Sequence, residues 1–533
     1  MSLNDTYAAP RDGHTAAAAV SSAASATLQI GSRQIGQLLV NRGAALFWSL
    51  IGLHATVSIA APAIGFVTLP RDTLEGFIWG RTFQWGFSKH PPLQAWILGL
   101  TEWLAPSAMW LAYAYAQICV AVTLWAVWQL GRSILGERQG LIAALLTLFG
   151  VHYYGPSMAT FTPDTLSAPL WALAGLFWWR AVVEERPRAW YSFGLVVAIS
   201  IYAKYVVLLL VGVLGVLTLA TPRGRAALMR LDPWLAGLLC LVLVAPHLNW
   251  VVETSFSTLG YAFSHGEKAT SVLVRLYFCL TFLSAQIIQH GMLIVLLLVT
   301  VGFGRFKPKT ELVIDGRQVP AFEQMALLTM AFAPIATALV VNYVVGGEFR
   351  QGRGTALFAF SGIAALMLIG PRLVLGRLKL AAVLGLVVIV GLPIGNAFHH
   401  HVRLAMGAGV VPTLYPAESL ADQLTSRWRD DTDQPLRIVI GDRWHAGNVA
   451  FYSLDRPLIL LDGDTRQAPW VTEAMLARHG AIIVWQPEDR EAIANLQRRF
   501  PTLKAQGFVS APSPLSFGPV TTLAYAIVPA ELR

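Results

Sequence analysis

Long apolar segments recur along most of this chain, and they constrain its fold more than any other feature of the sequence. A helix needs about 20 mostly apolar residues to cross the roughly 30 Å hydrocarbon core of a bilayer. The sequence therefore predicts an α-helical polytopic membrane protein with about eleven spans. We place them at 45–65, 108–130, 139–157, 163–183, 190–204, 205–220, 233–250, 281–303, 322–345, 355–371 and 377–396. Because 190–204 and 205–220 are short, they are either two tilted spans joined by a tight turn or one span and a re-entrant piece.

The low charge content supports this class. Only 13% of the 533 residues are charged, whereas soluble domains carry about 25%. The net charge of +9 comes from Lys and Arg residues scattered among short loops, which is not the pattern of a nucleic-acid-binding face. Cys119, Cys240 and Cys279 lie in apolar runs without metal-ligand spacing, so we interpret them as packing residues. The composition thus favours membrane lipids over nucleic acid as the surroundings of this protein.

The distribution of basic residues gives the orientation. Loops rich in Lys and Arg face the cytoplasm, and here they alternate along the chain. They contain Arg132 and Arg138; Arg186 and Arg188; Arg223, Arg225 and Arg230; Arg305, Lys307, Lys309 and Arg317; and Arg372, Arg377 and Lys379. The N-terminus is therefore predicted to be cytoplasmic, and the loop after the first span and the C-terminus are predicted to lie outside.

The composition divides the chain into three predicted regions. Residues 1–43 are rich in Ala and Ser and are predicted to be a disordered cytoplasmic tail. Residues 44–396 form the membrane domain, and residues 397–533 have the composition of a water-soluble domain. Residues 58–63 faintly resemble a signal-peptidase site, but cleavage there would detach the first span from the loop that follows it.

The soluble region predicts a small α/β domain. Buried strands are indicated at 437–442, 458–461 and 481–485, and helical patterns lie near 470–479 and 487–499. Strands that alternate with helices favour an α/β sheet. The region has no G-x-G-x-x-G loop, so no nucleotide site is predicted.

The segment between the first and second spans carries most of the chemistry-bearing side chains. It contains Asp72, Glu75, Arg81, Lys89 and His90 in a chain that is otherwise poor in charge. Asp72 stands just outside the first span, where a carboxylate can serve either as a general base or as a solvated loop residue. Lys204 lies between two apolar runs. An ionisable residue in such a position is a functional candidate by default.

Six blocks carry a resemblance to a known family, and they occur in the order found in that family. They are Asp72; His90-Pro91-Pro92-Leu93; Thr162-Pro163-Asp164; Ala203-Lys204-Tyr205; Pro246, Asn249 and Trp250; and Gly441-Asp442 through Ala450-Phe451-Tyr452. The pattern resembles the family 39 membrane glycosyltransferases of the GT-C superfamily. These include the dolichyl-phosphate-mannose protein mannosyltransferases and the bacterial aminoarabinose and galacturonic acid lipid A transferases. The resemblance covers about residues 45–530.

The resemblance implies a function. It predicts a GT-C membrane fold with a periplasmic α/β domain, in the inner membrane of a bacterium. The implied reaction is an inverting transfer of a sugar from a polyprenyl-phosphate donor to a lipid or glycolipid acceptor at the periplasmic face. Lipid A or lipopolysaccharide core is the first choice of acceptor, and protein hydroxyl groups are the second.

The resemblance also assigns roles to residues. Asp72 is the expected base, and Asp164 is either an orienting residue or the N-cap of its span. The expected donor-binding residues are Lys89, His90 and Lys204, with Glu75 and Arg81 as auxiliary residues. Arg275, Arg350 and Arg353 are added because they are cations outside the cytoplasmic loops, and each of these cations binds either the donor or lipid headgroups. Cations at these positions suit a lipid phosphate.

Two departures from the family pattern bear on the donor. Thr73 stands where relatives have Glu, which puts a metal site in doubt, so no cofactor is assigned and a divalent cation is left open. Lys89 stands where relatives have an acid, and it is expected either to hold an anionic sugar or to snorkel to lipid headgroups. The run His399-His400-His401 lacks the geometry and partners of a metal site.

Two other classes compete with the enzyme. A lipid or glycolipid transporter would show related halves and broken helices at the bilayer midplane, whereas here the polar candidates cluster in outer loops. A subunit that has lost activity would be consistent with Thr73 and Lys89.

Overall fold

The computed structural model describes residues 41–106, 108–150, 159–264, 269–301, 313–314, 317–346, 354–369, 378–407, 409–515 and 518–531. Up to residue 407 these residues are almost entirely helical. The helices are α1 (Asn41–Gly65), α2 (Arg71–Gly80), α3 (Leu93–Leu104), α4 (Leu111–Leu135), α5 (Glu137–Leu148), α6 (Pro163–Val182), α7 (Ala189–Ala203), α8 (Val207–Ala220), α9 (Pro222–Leu228), α10 (Asp232–Glu253), α11 (Ser257–Ser264), α12 (Val272–Gln289), α13 (Gly291–Val301), α14 (Ala321–Val345), α15 (Ser361–Ile369) and α16 (Leu378–Ala405). A short hairpin pairs β1 (Val313–Ile314) with β2 (Arg317–Gln318).

Six of these helices are long and apolar enough to cross a bilayer, namely α1, α4, α10, α12, α14 and α16. The helices α8 and α9 meet at 100° and together would make a seventh. Apolar side chains on these helices point outward: Leu238, Leu241 and Val242 of α10 are 58%, 62% and 62% exposed. Hydrocarbon covers such surfaces, which would be an aggregation hazard in water. The chain is therefore a multi-pass membrane protein, as predicted.

The structure revises one of the predicted spans and shows how two others are joined. The segment 281–303 is not one helix, because the chain breaks at His290 between α12 and α13. At Lys204, α7 and α8 are separate helices joined by an extended residue with φ −169° and ψ 140°. This geometry agrees with the tight-turn interpretation of that pair.

The close contact between α2 and α3 depends on two glycines. A Cβ on Gly80 would lie 2.3 Å from the Ala95 carbonyl oxygen and 2.5 Å from the Gly99 Cα. Only glycine allows the two helix backbones to approach so closely. The contact fixes the helix on which Asp72 and Glu75 lie.

We expect Gly80→Ala to destabilise the protein by about 1–3 kcal/mol, because the added methyl group meets backbone atoms that cannot move aside. Thermal unfolding of the purified protein in detergent is the measurement. Gly212→Ala is the matched control, since a Cβ there has no neighbour within 4 Å. Equal melting temperatures for the two variants would contradict the packing argument.

The C-terminal region contains a five-stranded sheet in the order β4-β3-β5-β7-β6. Its elements are α17 (Ala417–Thr432), β3 (Ile438–Gly441), α18 (His445–Tyr452), β4 (Leu458–Leu461), α19 (Glu473–His479), β5 (Ala481–Trp485), α20 (Arg490–Arg499), β6 (Gly507–Pro512) and β7 (Val520–Val528). The strands β3, β4 and β5 are parallel, and β7 pairs antiparallel with β5 and β6. The three predicted strands are present. The sequence analysis missed α17, β6 and β7, and α16 continues to Ala405, beyond the predicted domain boundary at 397.

The C-terminal domain packs directly on the membrane domain. Leu74 and Ile78 of α2 share a buried cluster with Val449 and Ala450 of α18. Arg81 at the end of α2 donates to the Ala450 carbonyl at 2.8 Å. The contact brings the carboxyl end of β3 against the charged face of α2.

Candidate active site

A cavity of about 700 Å³ lies between α2 and the C-terminal domain. Both domains contribute polar side chains to its wall, so it is a polar chamber rather than a lipid groove. The membrane domain provides Arg71, Asp72, Glu75, Ser88, Lys89, Ser257 and Tyr261. The C-terminal domain provides Asp442, Arg443, Trp444, Asp462 and Gln467.

Four charged side chains form a continuous network in this cavity. Lys89 Nζ lies 2.8 Å from Asp72 Oδ1 and 2.6 Å from Glu75 Oε2. Arg443 Nε lies 3.4 Å from the other Glu75 oxygen, Oε1. The Glu75 side chain is only 8% exposed, whereas that of Asp72 is 51% exposed. Asp72 is therefore the carboxylate that can meet a substrate, and Glu75 is the one that holds the two cations.

The network shifts the proton affinities of its members in opposite directions. Burial raises the pKa of Glu75, and its two cationic neighbours reduce that shift without cancelling it. Burial alone would also raise the pKa of Asp72, but the attraction and hydrogen bond of Lys89 bring that pKa below its ordinary value. For Lys89, burial opposes the charged form, yet Glu75 and Asp72 raise its pKa overall. At neutral pH, Asp72 is thus ionised and Lys89 is charged.

The backbone around Asp72 is fixed by buried polar contacts. Asp72 lies in the first turn of α2, where the helix dipole favours a carboxylate. Gln94 Nε2 donates to the Asp72 carbonyl at 2.9 Å and to the Phe161 carbonyl at 2.8 Å. The Thr73 hydroxyl also donates to the Phe161 carbonyl, at 3.3 Å. Thr73 therefore has a structural contact in place of the carboxylate found there in the resembling family.

A second ion pair joins Lys204 to Asp164 at 2.5 Å. The N-cap of α6 is Thr162, whose hydroxyl accepts from the Thr165 amide. Asp164 is thus free of the N-cap role that the sequence left open for it. The charge of Lys204 contributes to the lowered pKa of Asp72, so this pair adjoins the cavity although it does not line it.

His90 lies beside the same charges. Burial lowers its pKa well below the ordinary value, and the nearby Lys89 and Lys204 charges lower it further. The imidazole is therefore neutral at pH 7. It can contribute a hydrogen bond to a bound phosphate but no positive charge.

The remaining predicted residues lie elsewhere or outside the described residues. Arg81 makes a two-point contact with Glu102, with its Nε 3.1 and 3.0 Å from the two carboxylate oxygens. Arg275 donates to the carbonyls of Tyr343 and Val344 at 3.0 and 2.9 Å, and so caps the end of α14. Arg350 and Arg353 lie outside the described residues.

The sequence analysis did not predict the contribution of the C-terminal domain. Asp442 follows β3 directly, and its Oδ1 accepts from the amides of Trp444 and His445 at 2.7 and 2.9 Å. These hydrogen bonds fix the backbone of Arg443, which lies between Asp442 and Trp444. Asp462 follows β4 in the same way. Ligand sites in α/β sheets lie at the carboxyl ends of parallel strands, so the position of Asp442 at the end of one predicted strand and of Asp462 just after another was a usable signal.

Among the described residues, no group of three or more His, Cys, Asp or Glu side chains is placed to hold a metal ion. Carboxylates and cations are paired with each other across the cavity instead.

Asp462 provides a pH-dependent test of the cavity's electrostatics. Burial, reinforced by the charge of Asp442, raises its pKa to about 6. A raised carboxyl pKa means that the folded state binds the proton more tightly, so this group destabilises the fold as pH rises from about 4 to about 6. We expect Asp462→Asn to unfold at a higher temperature than the unchanged protein at about pH 8, and to lose that advantage near pH 4. Thermal unfolding at both pH values is the measurement, and an advantage that does not depend on pH would contradict this assignment.

Comparisons with known proteins show which proteins this chain resembles. Residues 89–250 match the family model described as dolichyl-phosphate-mannose-protein mannosyltransferase. This segment contains Lys89, His90, Asp164 and Lys204. A search of curated protein sequences finds no match.

Solved structures also resemble this chain over about nine-tenths of its length. ArnT from Cupriavidus metallidurans bound to undecaprenyl phosphate matches with a TM-score of 0.58 and 15% identity, over 91% of this chain and 98% of that chain. The apo state of ArnT from the same organism matches with a TM-score of 0.52 and 16% identity, over 90% and 98% of the two chains. These likenesses confirm the predicted GT-C fold. The family-model match confirms the predicted resemblance to membrane glycosyltransferases and supports the enzyme class.

Proposed function

We propose that this protein transfers a sugar from a polyprenyl-phosphate donor to the hydroxyl group of an acceptor, at the outer face of the membrane. The observation that carries the proposal is the cavity in which a half-exposed, ionised Asp72 lies 2.8 Å from Lys89, with Arg443 close by. A carboxylate and two cations are the groups that such a transfer needs. The enzyme class is further supported by the match over residues 89–250.

The proposed reaction is a single displacement. Asp72 accepts the proton of the acceptor hydroxyl while the oxygen of that hydroxyl attacks the anomeric carbon of the sugar. The bond from the anomeric carbon to the phosphate oxygen breaks, and its electron pair leaves with the polyprenyl phosphate. Lys89 stabilises the charge on that leaving group. Attack from the face opposite the phosphate inverts the anomeric centre.

Three further features extend this proposal. The distribution of basic loops supports a cytoplasmic N-terminus and a periplasmic C-terminal domain in a bacterial inner membrane. The ArnT structure contains undecaprenyl phosphate, which supports a donor of that lipid class. We propose lipid A or lipopolysaccharide core as the acceptor, in line with the sequence resemblance, with protein hydroxyl groups as the second candidate.

Purified protein tests the activity directly. We expect it to transfer sugar from a polyprenyl-phosphate donor to an acceptor lipid and to release polyprenyl phosphate in equal amount. Mass spectrometry of lipid A and core from a deletion strain identifies the acceptor. Movement of the intact donor between leaflets without cleavage would instead indicate a transporter.

Thiol labelling tests the orientation. In a cysteine-free background, a cysteine in place of Ala505, an exposed residue of the loop between α20 and β6, is expected to react with a membrane-impermeant reagent in cells with a permeabilised outer membrane. A cysteine at Gly136, in the loop between α4 and α5, is expected to be protected. The reverse pattern would place the cavity in the cytoplasm and overturn the proposed location.

A further inference from the structure

Arg443 is the cation that the C-terminal domain contributes to the lining of the cavity, whose other cations, Arg71 and Lys89, lie on α2 and the loop after it. Its side chain is 31% exposed and its guanidinium lies 5.4 Å from the centre of the Tyr261 ring. The Asp442 turn fixes its backbone, because the Asp442 carboxylate accepts from the amides of Trp444 and His445 and, at 2.7 Å, from His445 Nδ1. The position of Arg443 is therefore determined by the fold of both domains.

The sheet topology explains why this loop is suited to binding. The strand β3 lies between β4 and β5, both parallel to it. The connections that leave β3 and β4 must therefore run in opposite directions across the sheet. A crevice opens at the carboxyl ends of the strands at such a switch point, and ligands bind there in open α/β sheets. Arg443 and Asp462 follow β3 and β4 at this edge, and both line the cavity.

Two cations converge on one buried carboxylate. Lys89 Nζ contacts Glu75 Oε2 at 2.6 Å, and Arg443 Nε lies 3.4 Å from Glu75 Oε1. An anion with several oxygens can be bound by the same pair of cations, since guanidinium and ammonium groups both favour phosphate oxygens. The Glu75 side chain is only 8% exposed and so stays within the wall of the cavity, whereas the Lys89 and Arg443 side chains can contact a molecule in the cavity.

We propose that Arg443 and Lys89 form a two-cation site for the phosphate of the lipid-linked donor, and that Glu75 pairs with both cations until the phosphate replaces it. This inference rests on the proposed function and deepens it. The C-terminal domain then has a direct part in donor binding. In this arrangement, the leaving phosphate is stabilised by both domains at once.

Binding measurements on the full-length protein in detergent test the proposal without requiring turnover. The probes are undecaprenyl phosphate and undecaprenol, which differ only in the phosphate. We expect Arg443→Gln to weaken binding of undecaprenyl phosphate by about 10- to 150-fold, the effect of losing charged hydrogen bonds, and to leave undecaprenol binding unchanged. Arg443→Lys should retain part of the affinity, because it keeps the charge. Arg498→Gln, an exposed arginine of α20, is the matched control.

Glu75→Gln makes the test independent of folding defects. If Glu75 competes with phosphate for the cations, this variant should bind undecaprenyl phosphate as tightly as the unchanged protein or more tightly. If the Glu75–Arg443 contact serves only to hold the domains together, Glu75→Gln and Arg443→Gln should weaken binding alike, and the inference fails. Unchanged affinity in Arg443→Gln, or an equal loss for undecaprenol, would also overturn it.

Competitors distinguish the sources of a phosphate group. Inorganic phosphate and phosphatidylglycerol are expected to displace undecaprenyl phosphate only weakly. The contrary result is that phosphatidylglycerol displaces undecaprenyl phosphate strongly and that Arg443→Gln weakens the binding of both lipids equally. That result would indicate a site for phospholipid headgroups and would overturn the donor assignment. If the unchanged protein binds no undecaprenyl phosphate at all, the proposed function fails together with this inference. If the unchanged protein binds undecaprenyl phosphate but the Arg443 variants bind it equally well, only this inference fails and the proposed function stands.

Discussion

Replacing Asp72 with asparagine is expected to lower the rate of sugar transfer by about 10²- to 10⁴-fold, the usual contribution of general-base catalysis. The amide has nearly the shape of the carboxylate but cannot accept a proton at neutral pH. Asp72 is the half-exposed carboxylate of the cavity, so it is the one that can meet an acceptor hydroxyl. The measurement is the initial rate of transfer by purified protein, with the thermal unfolding temperature recorded for each variant.

Two controls separate catalysis from structure in this experiment. Asp430→Asn changes an exposed carboxylate of α17 outside the cavity and is expected to leave the rate unchanged. Binding of undecaprenyl phosphate should not weaken in Asp72→Asn, because Lys89 keeps its contact with Glu75. A folded Asp72→Asn protein that turns over at the unchanged rate would remove Asp72 from the role of base.

Local sequence pattern was sufficient to group three charged residues on the membrane-domain side of the cavity. Asp72, Glu75 and Lys89 lie close together in the chain, on α2 and the loop after it, so a charged segment between apolar runs marks them as a group. The pair of Asp164 and Lys204 was also within reach, since an ionisable residue at the end of an apolar helix needs a partner. Charged residues are rare in and near the membrane, so the few that occur there mark candidate functional residues.

The side of the cavity that the C-terminal domain provides could not be predicted in this way. Arg443 meets Glu75 only because α18 packs on α2, and the apolar residues that make this contact read simply as the buried face of each helix. Periodicity shows that a face is buried but not which surface covers it. The break at His290 was missed as well, although the polar residues Gln286, Gln289 and His290 interrupt the apolar segment there. The sequence alone therefore does not predict which surfaces of the two domains pack against each other.

Replacing Lys89 with glutamine is expected to reduce kcat/KM by at least about 10- to 150-fold, because charged hydrogen bonds to the donor phosphate are lost. The variant also has a pH signature. Lys89 lowers the pKa of Asp72, so its removal raises that pKa and leaves the two carboxylates of Asp72 and Glu75 facing each other without the ammonium group. A base acts only when it is deprotonated. The acidic limb of the pH profile of kcat/KM should therefore move to higher pH in Lys89→Gln.

The direction of this shift distinguishes a residue that tunes the base from one that only binds the donor. Loss of donor binding alone would lower kcat/KM at every pH and leave the limb in place. Lys504→Gln, which removes an exposed lysine outside the cavity, is expected to change neither the rate nor the profile. A limb that moves to lower pH in Lys89→Gln would show that the titrating group is not a carboxylate stabilised by Lys89. The ion pair between Lys89 and Asp72 would then be a structural contact, and the base of the reaction would have to be sought among the other carboxylates of the cavity.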